Sequence, residues 1–108
     1  MNINVSLTYF SNDIPVLHIG GELDLASLEK LQKAVDSLTA EGYSQLVFAL
    51  DGVSYMDSSA LRLFLETRQK LLGRGGKLHI MNPSPRVLRV LSITRLLNSF
   101  SIVGPEVI

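Results

Sequence analysis

Hydrophobic and polar residues alternate at the start of the chain. Ile3, Val5, Leu7 and Tyr9 are separated by Asn4, Ser6 and Thr8, the period of a half-buried strand. Ser11-Asn12-Asp13 is a turn cluster, and Val16 to Ile19 reads as a second strand. The spacing predicts a hairpin that Gly20-Gly21 ends. Leu25, Leu28, Leu31, Val35 and Leu38 then fall at helical spacing. Asp24 stands just before them, where a carboxylate can cap a helix, and Gly42 sits just beyond the expected end. Leu46 to Leu50 is a short continuous apolar run, as in a strand covered on both faces. A loop from Asp51 to Met56 leads to a second helix from about Ser58 to Leu72, which Gly73, Gly75 and Gly76 stop. Leu78 to Met81 makes a fourth strand. Ser84-Pro85 opens a third helix, with serine as cap and proline at the first helical position. Phe100, Ile102 and Val103 form a last short strand or tail.

Strands alternating with helices predict an α/β fold, with a mixed, mostly parallel sheet of four or five strands and helices packed on it. The 108 residues suit a single domain spanning 1–108, large enough to bury a modest core without staples. No repeat, linker or low-complexity segment interrupts it.

Composition narrows the chemistry. There is no cysteine, so disulfides, thiolate metal sites and a cysteine nucleophile are excluded. Ten basic and ten acidic residues cancel, whereas a protein living on nucleic acid normally carries a basic excess; no direct nucleic-acid partner is expected. No apolar run approaches the length that crosses a bilayer, and the start of the chain lacks a secretory pattern, so no membrane insertion and a cytoplasmic location are expected. His18 and His79 lie in strand patterns and read as structural residues. With no close histidine pair and only scattered acids, neither a metal nor a cofactor is expected. Gly73-Arg74-Gly75-Gly76 runs from helix to strand, the wrong direction for a phosphate loop.

The informative stretch is Tyr55-Met56-Asp57-Ser58-Ser59-Ala60-Leu61. At about 100° per residue, Leu61, Phe64, Leu65, Leu71 and Leu72 share the side that should face the sheet. Ser59 lies opposite with Arg62, Glu66 and Lys70, so its hydroxyl should be within a partner's reach. Ser58 lies at the margin of the apolar side and should be less accessible, and Asp57 is the better helix cap. Leu63 points outward beside Ser59, either as a stray surface leucine or as a contact for a bound protein. Arg68 falls inside the apolar stripe, its stem packed and its head reaching water. A phosphate on Ser59 would sit on the first turn of the helix, near free N–H groups and the positive end of the dipole. It should leave the domain folded and add roughly −1.5 to −2 charges. That is a switch on binding.

Asp57-Ser58-Ser59-Ala60-Leu61, preceded by a hydrophobic strand and Asp51-Gly52-Val53-Ser54-Tyr55-Met56, resembles the phosphorylation motif of STAS domains. Gly21-Glu22-Leu23-Asp24 resembles the family's other marker, and Gly75-Gly76-Lys77-Leu78 its turn into the fourth strand. The likeness runs from about Ile3 to Val103. It implies a non-enzymatic regulator of the anti-sigma factor antagonist type. The unphosphorylated form would bind an anti-sigma factor, often itself the serine kinase, and so release a sigma factor; a phosphatase would reset the cycle. By the same resemblance Ser59 is the phosphate acceptor, Asp24 lies near it at the partner surface, and Asp57 and Ser58 shape the site. Two positions depart from the motif, because Ala60 and Arg62 stand where members with an active switch usually carry glycine. Arg62, three residues from Ser59, can pair with a phosphate or obstruct a partner fitted to glycine.

Other classes fit the residues less well. The same fold can serve as a fixed, non-switching subunit of a larger assembly such as a lipid-transport or other signalling complex, in which Ser59 only helps a helix dock. A serine hydrolase would need a base and an oxyanion site, and the Gly-x-Ser-x-Gly elbow is absent. A response-regulator receiver would place a pair of acids after its first strand. Asp51 imitates its phospho-aspartate, but that acid pair is missing.

Overall fold

In the computed structural model, which describes residues 3–104, the order is β1 (Ile3–Tyr9), β2 (Pro15–Leu23), α1 (Leu28–Ala40), β3 (Gln45–Met56), α2 (Ser58–Leu72), β4 (Lys77–Met81), α3 (Pro85–Ile93) and β5 (Ser101–Val103), with a single 3-10 turn at Leu97–Ser99 before the last strand. The strands form one five-stranded sheet in the order β1-β2-β3-β4-β5. β1 and β2 pair antiparallel as the expected hairpin, from Ile3↔Gly21 to Tyr9↔Pro15. Every other pairing is parallel. The fold is α/β, with the mixed, mostly parallel sheet that the alternation of elements implies.

Strand alternation divides the apolar side chains between the two faces of the sheet. Leu17, Ile19, Leu46, Phe48, Leu50, Leu78 and Ile80 meet all three helices in one large cluster, through residues such as Leu31, Val35, Phe64, Leu71, Val87 and Leu91. Phe64 stands at its centre, with edge-on contacts to Phe48 and Phe100 at 5.4 and 6.5 Å between centroids. On the opposite face Val16, Val47, Ala49 and Met81 are covered by Phe10, Ile14 and Val103. Leu46 to Leu50 are therefore buried on both sides.

Two boundaries differ from the sequence reading, for one reason. β2 does not stop at Gly20-Gly21, and Asp51 to Met56 is not a loop. The two segments pair through Gly20↔Gly52, Gly21↔Val53, Glu22↔Tyr55 and Leu23↔Met56, with register shifts on either side of the glycines. A Cβ on Gly20 would stand 3.3 Å from the Gly52 carbonyl oxygen, and Gly21 has φ of +95°. The glycines let two backbones approach at a bulge and do not end a strand. Since β4 leaves β3 at Ala49↔Met81, β2 and β3 continue as a two-stranded arm beyond the sheet. The start of α3 takes β4's place beside it: the Ser84 amide donates to the Leu50 carbonyl at 3.2 Å, and the Ser84 hydroxyl donates to the Val53 carbonyl at 2.7 Å. Ser84 also caps α3 by accepting from the Val87 amide, as its place before Pro85 predicts. The arm carries the candidate site at its tip.

Helix α1 begins at Leu28, one turn later than its leucine spacing suggests, and Leu25 is 78% exposed. Asp24 is not its cap. The chain first makes a turn from Asp24 to Ser27, closed by the Ser27 amide donating to the Asp24 carbonyl at 3.0 Å, and only then enters the helix.

Candidate functional site

β2 and β3 run parallel and end together at Leu23↔Met56, so Asp24 and Asp57 leave the carboxyl end of the sheet from neighbouring strands. The Asp57 amide donates to the Leu23 carbonyl at 3.2 Å, which pins the two exits. The carboxyl edge of parallel strands is where open α/β sheets place their ligands.

Each aspartate is then held by its own turn. The Asp24 carboxylate accepts from the Ser27 amide at 3.0 Å, while the Ser27 hydroxyl accepts from the Asp24 amide at 3.0 Å and donates to the Glu22 carbonyl at 2.6 Å. This reciprocal pair fixes a buried Ser27 and the entry to α1. Asp57 has extended backbone (φ −118°, ψ −171°) and caps α2: its Oδ1 accepts from the amides of Ser59 at 2.9 Å and Ala60 at 3.4 Å. The cap expected at Asp57 is thus in place. Of the first-turn N–H groups expected to be free for a phosphate, those of Ser59 and Ala60 already belong to Asp57.

A surface groove of about 440 Å³ separates the first turns of α1 and α2. Ser58, Ser59, Arg62, Leu63 and Glu66 line it from α2; Leu25, Leu28, Glu29 and Gln32 line it from α1 and the turn before it. Ser58 is exposed and Ser59 half-buried, the reverse of the order expected from the helical wheel. The Ser59 hydroxyl makes no hydrogen bond to any of the described residues, yet no side-chain polar atom among them is both buried and unpartnered, so that oxygen touches solvent.

Leu63 corrects the wheel most clearly. It does not point outward: it is 6% exposed and belongs to the core cluster. The buried stripe of α2 runs Ala60, Leu61, Leu63, Phe64, Thr67 and Leu71, whereas Leu65 is half-buried and Leu72 is 41% exposed. A wheel drawn for a helix with one neighbour, the sheet, misses that α1 packs on the adjoining face and widens the apolar arc. Thr67 sits in this stripe because its hydroxyl donates back to the Leu63 carbonyl at 2.8 Å. Arg68 is half-buried, as its place in the stripe suggests.

Four of the six site residues named from the sequence, Ser58, Ser59, Arg62 and Leu63, thus share the groove. Asp24 and Asp57 support its two rims through the turns that open α1 and α2. The sequence reading missed the α1 side, above all Leu25, whose leucine spacing pointed to the core. Charge on the groove is mixed: Glu29 pairs with Lys33 at 3.0 Å, and Arg62 takes part in no ion pair or side-chain hydrogen bond among the described residues. The histidines are occupied elsewhere. His18 Nε2 lies 2.7 Å from the Thr8 hydroxyl, and His79 bridges Gln45 and Ser101. Among the described residues no cluster of His, Cys, Asp or Glu is arranged to hold a metal, and no helix is long and apolar enough to cross a membrane.

The STAS domain model matches residues 7–107 of this chain. The anti-sigma-B factor antagonist of Bacillus subtilis (strain 168) is 40% identical over 96 residues, covering 89% of this chain and 86% of that protein. The protein of the same name in Staphylococcus aureus (strain NCTC 8325 / PS 47) is 33% identical over 96 residues, covering 89% and 88%. Among solved structures, an anti-sigma factor antagonist from Mycobacterium paratuberculosis superposes with a TM-score of 0.84 at 23% identity, covering 98% of this chain and 88% of that one. The anti-sigma factor antagonist SpoIIAA in its unphosphorylated form gives 0.79 at 23% identity, covering 95% and 90%. At that identity the superpositions establish the shared fold.

Proposed function

The chain belongs to the STAS domain family, and from that premise we propose that it is an anti-sigma factor antagonist switched by phosphorylation of Ser59. In its unphosphorylated form it binds an anti-sigma factor that is also a serine kinase, and the sigma factor is released. The Ser59 hydroxyl attacks the γ-phosphate of ATP held by the kinase; ADP leaves, and the hydroxyl proton passes to a base of the kinase. A phosphatase returns the free serine. The protein itself is a binding module and works in the cytoplasm.

The observation that carries this reading is the position of Ser59. Its oxygen has no hydrogen-bond partner among the described residues, touches solvent, and lies in the groove between α1 and α2. Phosphate there adds roughly −1.5 to −2 charges and three acceptor oxygens to a groove whose exposed apolar side chain is Leu25. A partner seated on Leu25 and the rim of the groove loses its fit, while the core beneath α2 is untouched. Support also comes from two curated relatives, at 40% and 33% identity, that bear the antagonist name.

The test is to mix the protein with the anti-sigma kinase of the same genome and ATP, then follow mass and complex formation. A stable complex before ATP addition, one phosphate mapped to Ser59 after it, and release of the phosphorylated protein are expected. No phosphate on Ser59 and no complex would instead favour a fixed STAS subunit of a larger assembly.

A further inference from the structure

We propose that Arg62 is the internal receptor for the phosphoryl group on Ser59, so that modification both adds charge and withdraws the groove's cation from a partner. The inference rests on the reading of Ser59 as the acceptor. Three observations lead to it. The amides of Ser59 and Ala60, which a phosphate at the start of α2 would otherwise use, already donate to Asp57 Oδ1 at 2.9 and 3.4 Å. The helix end is therefore occupied by a carboxylate, and a phosphate two residues from Asp57 needs a counter-charge from elsewhere. Arg62 is the one cation among the described residues that line the groove, and it stands one turn from Ser59 on the same side of α2, where residues three apart are neighbours.

Arg62 is also available. The ion pairs among the described residues are Lys33–Glu29 and Lys70–Asp36. Glu66, one turn further along α2, lines the same groove yet lies outside pairing distance of Arg62. A guanidinium presents a planar fork that takes two oxygens of a phosphate at once, and exposed Arg62 can swing to Ser59 without disturbing the buried stripe. Before modification the fork faces solvent or an acid on the partner. After it, the fork is held by the protein's own phosphate. The off state is then a rearranged surface: one polar contact is withdrawn and the mouth of the groove is narrowed by a bound side chain.

The experiment installs phosphoserine at position 59 during translation, so no kinase is involved, and titrates its 31P resonance in the whole protein. In the wild type the second phosphate pKa should lie below the ordinary value of about 6. Arg62→Gln should raise it by roughly one pH unit, Arg62→Lys should restore most of the difference, and Glu66→Gln should not raise it. Equal values in the wild type and Arg62→Gln overturn the inference, as does an equal rise in Glu66→Gln. Failure of a kinase to modify Ser59 bears on the proposed function; a phosphate pKa indifferent to Arg62 bears on this inference alone.

Discussion

Asp57 holds the amide of Ser59 at 2.9 Å, so the residue proposed for modification hangs from the carboxylate that starts its own helix. The same aspartate is tied by its amide to Leu23 on the neighbouring strand, and one residue thereby joins the sheet, the cap and the proposed acceptor. Asp57→Ala leaves the first amides of α2 without a partner and should cost about 1 kcal/mol, a fall in Tm of roughly 4–8 °C. Asp57→Ser should recover most of this, since a hydroxyl oxygen also caps. Thermal unfolding of the three proteins checks it; an unchanged Tm in the alanine variant would mean that the cap contributes nothing to the fold.

Ser59→Ala and Ser59→Asp separate structure from switching. The Ser59 hydroxyl makes no hydrogen bond among the described residues, and only the backbone amide is used by the cap, so both variants should melt at close to the wild-type temperature. Their binding should differ. Ser59→Ala should hold the anti-sigma factor with wild-type affinity and lose the response to ATP. Ser59→Asp places a carboxylate in the groove near Asp57 and Glu66 and should weaken the complex by at least about tenfold, or about 1.4 kcal/mol. Calorimetric titration of each variant against the anti-sigma factor measures this, and equal dissociation constants would remove Ser59 from the contact surface.

Two leucines of one groove should respond in opposite ways to truncation. Leu25 is 78% exposed on the turn before α1, and Leu63 is 6% exposed between α1 and the core. Leu25→Ala removes almost no buried surface, so Tm should hold while partner affinity falls about tenfold, as for an anchor on an interface. Leu63→Ala opens a cavity under α2 and should cost about 2–3 kcal/mol of stability, with any loss of affinity following from a loosened helix. Denaturant unfolding and binding measured on the same samples tell them apart. A Leu25→Ala protein that binds like the wild type would place the partner elsewhere.

How much of this could be seen in the chain depends on which neighbours a residue has. Leu46 to Leu50 announce a doubly covered strand because burial on both faces leaves no polar position. Ser58 to Leu72 announce a helix because the pattern is local and bounded by Asp57 and Gly73. The arm from Asp51 to Met56 was not legible: with β4 gone from one side, Asp51, Gly52, Ser54 and Tyr55 are exposed, and an exposed strand reads as a loop. Leu63 and Leu25 exchanged places for a related reason. Periodicity reports that a helix has an apolar face, but not that a second helix lies beside it, and the meeting of α1 with α2 is a property of the whole fold. The motif at Asp57-Ser58-Ser59 still marked the candidate site, since a cap and an adjacent hydroxyl are set by consecutive residues.

His79 gives the sheet a pH dependence whose sign follows from its surroundings. The residue is 9% exposed and its ring joins three strands, with Nε2 3.0 Å from Gln45 Oε1 on β3 and Nδ1 3.1 Å from Ser101 Oγ on β5. Gln45 Oε1 can only accept, so Nε2 carries the proton of a neutral ring and Nδ1 accepts from the Ser101 hydroxyl. Burial pushes the imidazole below its ordinary value of 6.5, and the nearby Lys77 ammonium pushes it the same way. Between that lowered value and 6.5 the unfolded chain binds more protons than the folded one, so stability rises with pH across the interval. The contribution is whole above pH about 6.5 and is lost as pH falls through the folded value. His79→Gln keeps a side chain able to bond Ser101 but cannot titrate, so its stability should change less than the wild type's between pH 7.5 and pH 5. Urea unfolding of both proteins at half-unit steps gives the two slopes; parallel slopes would mean that the charge on His79 is not linked to folding.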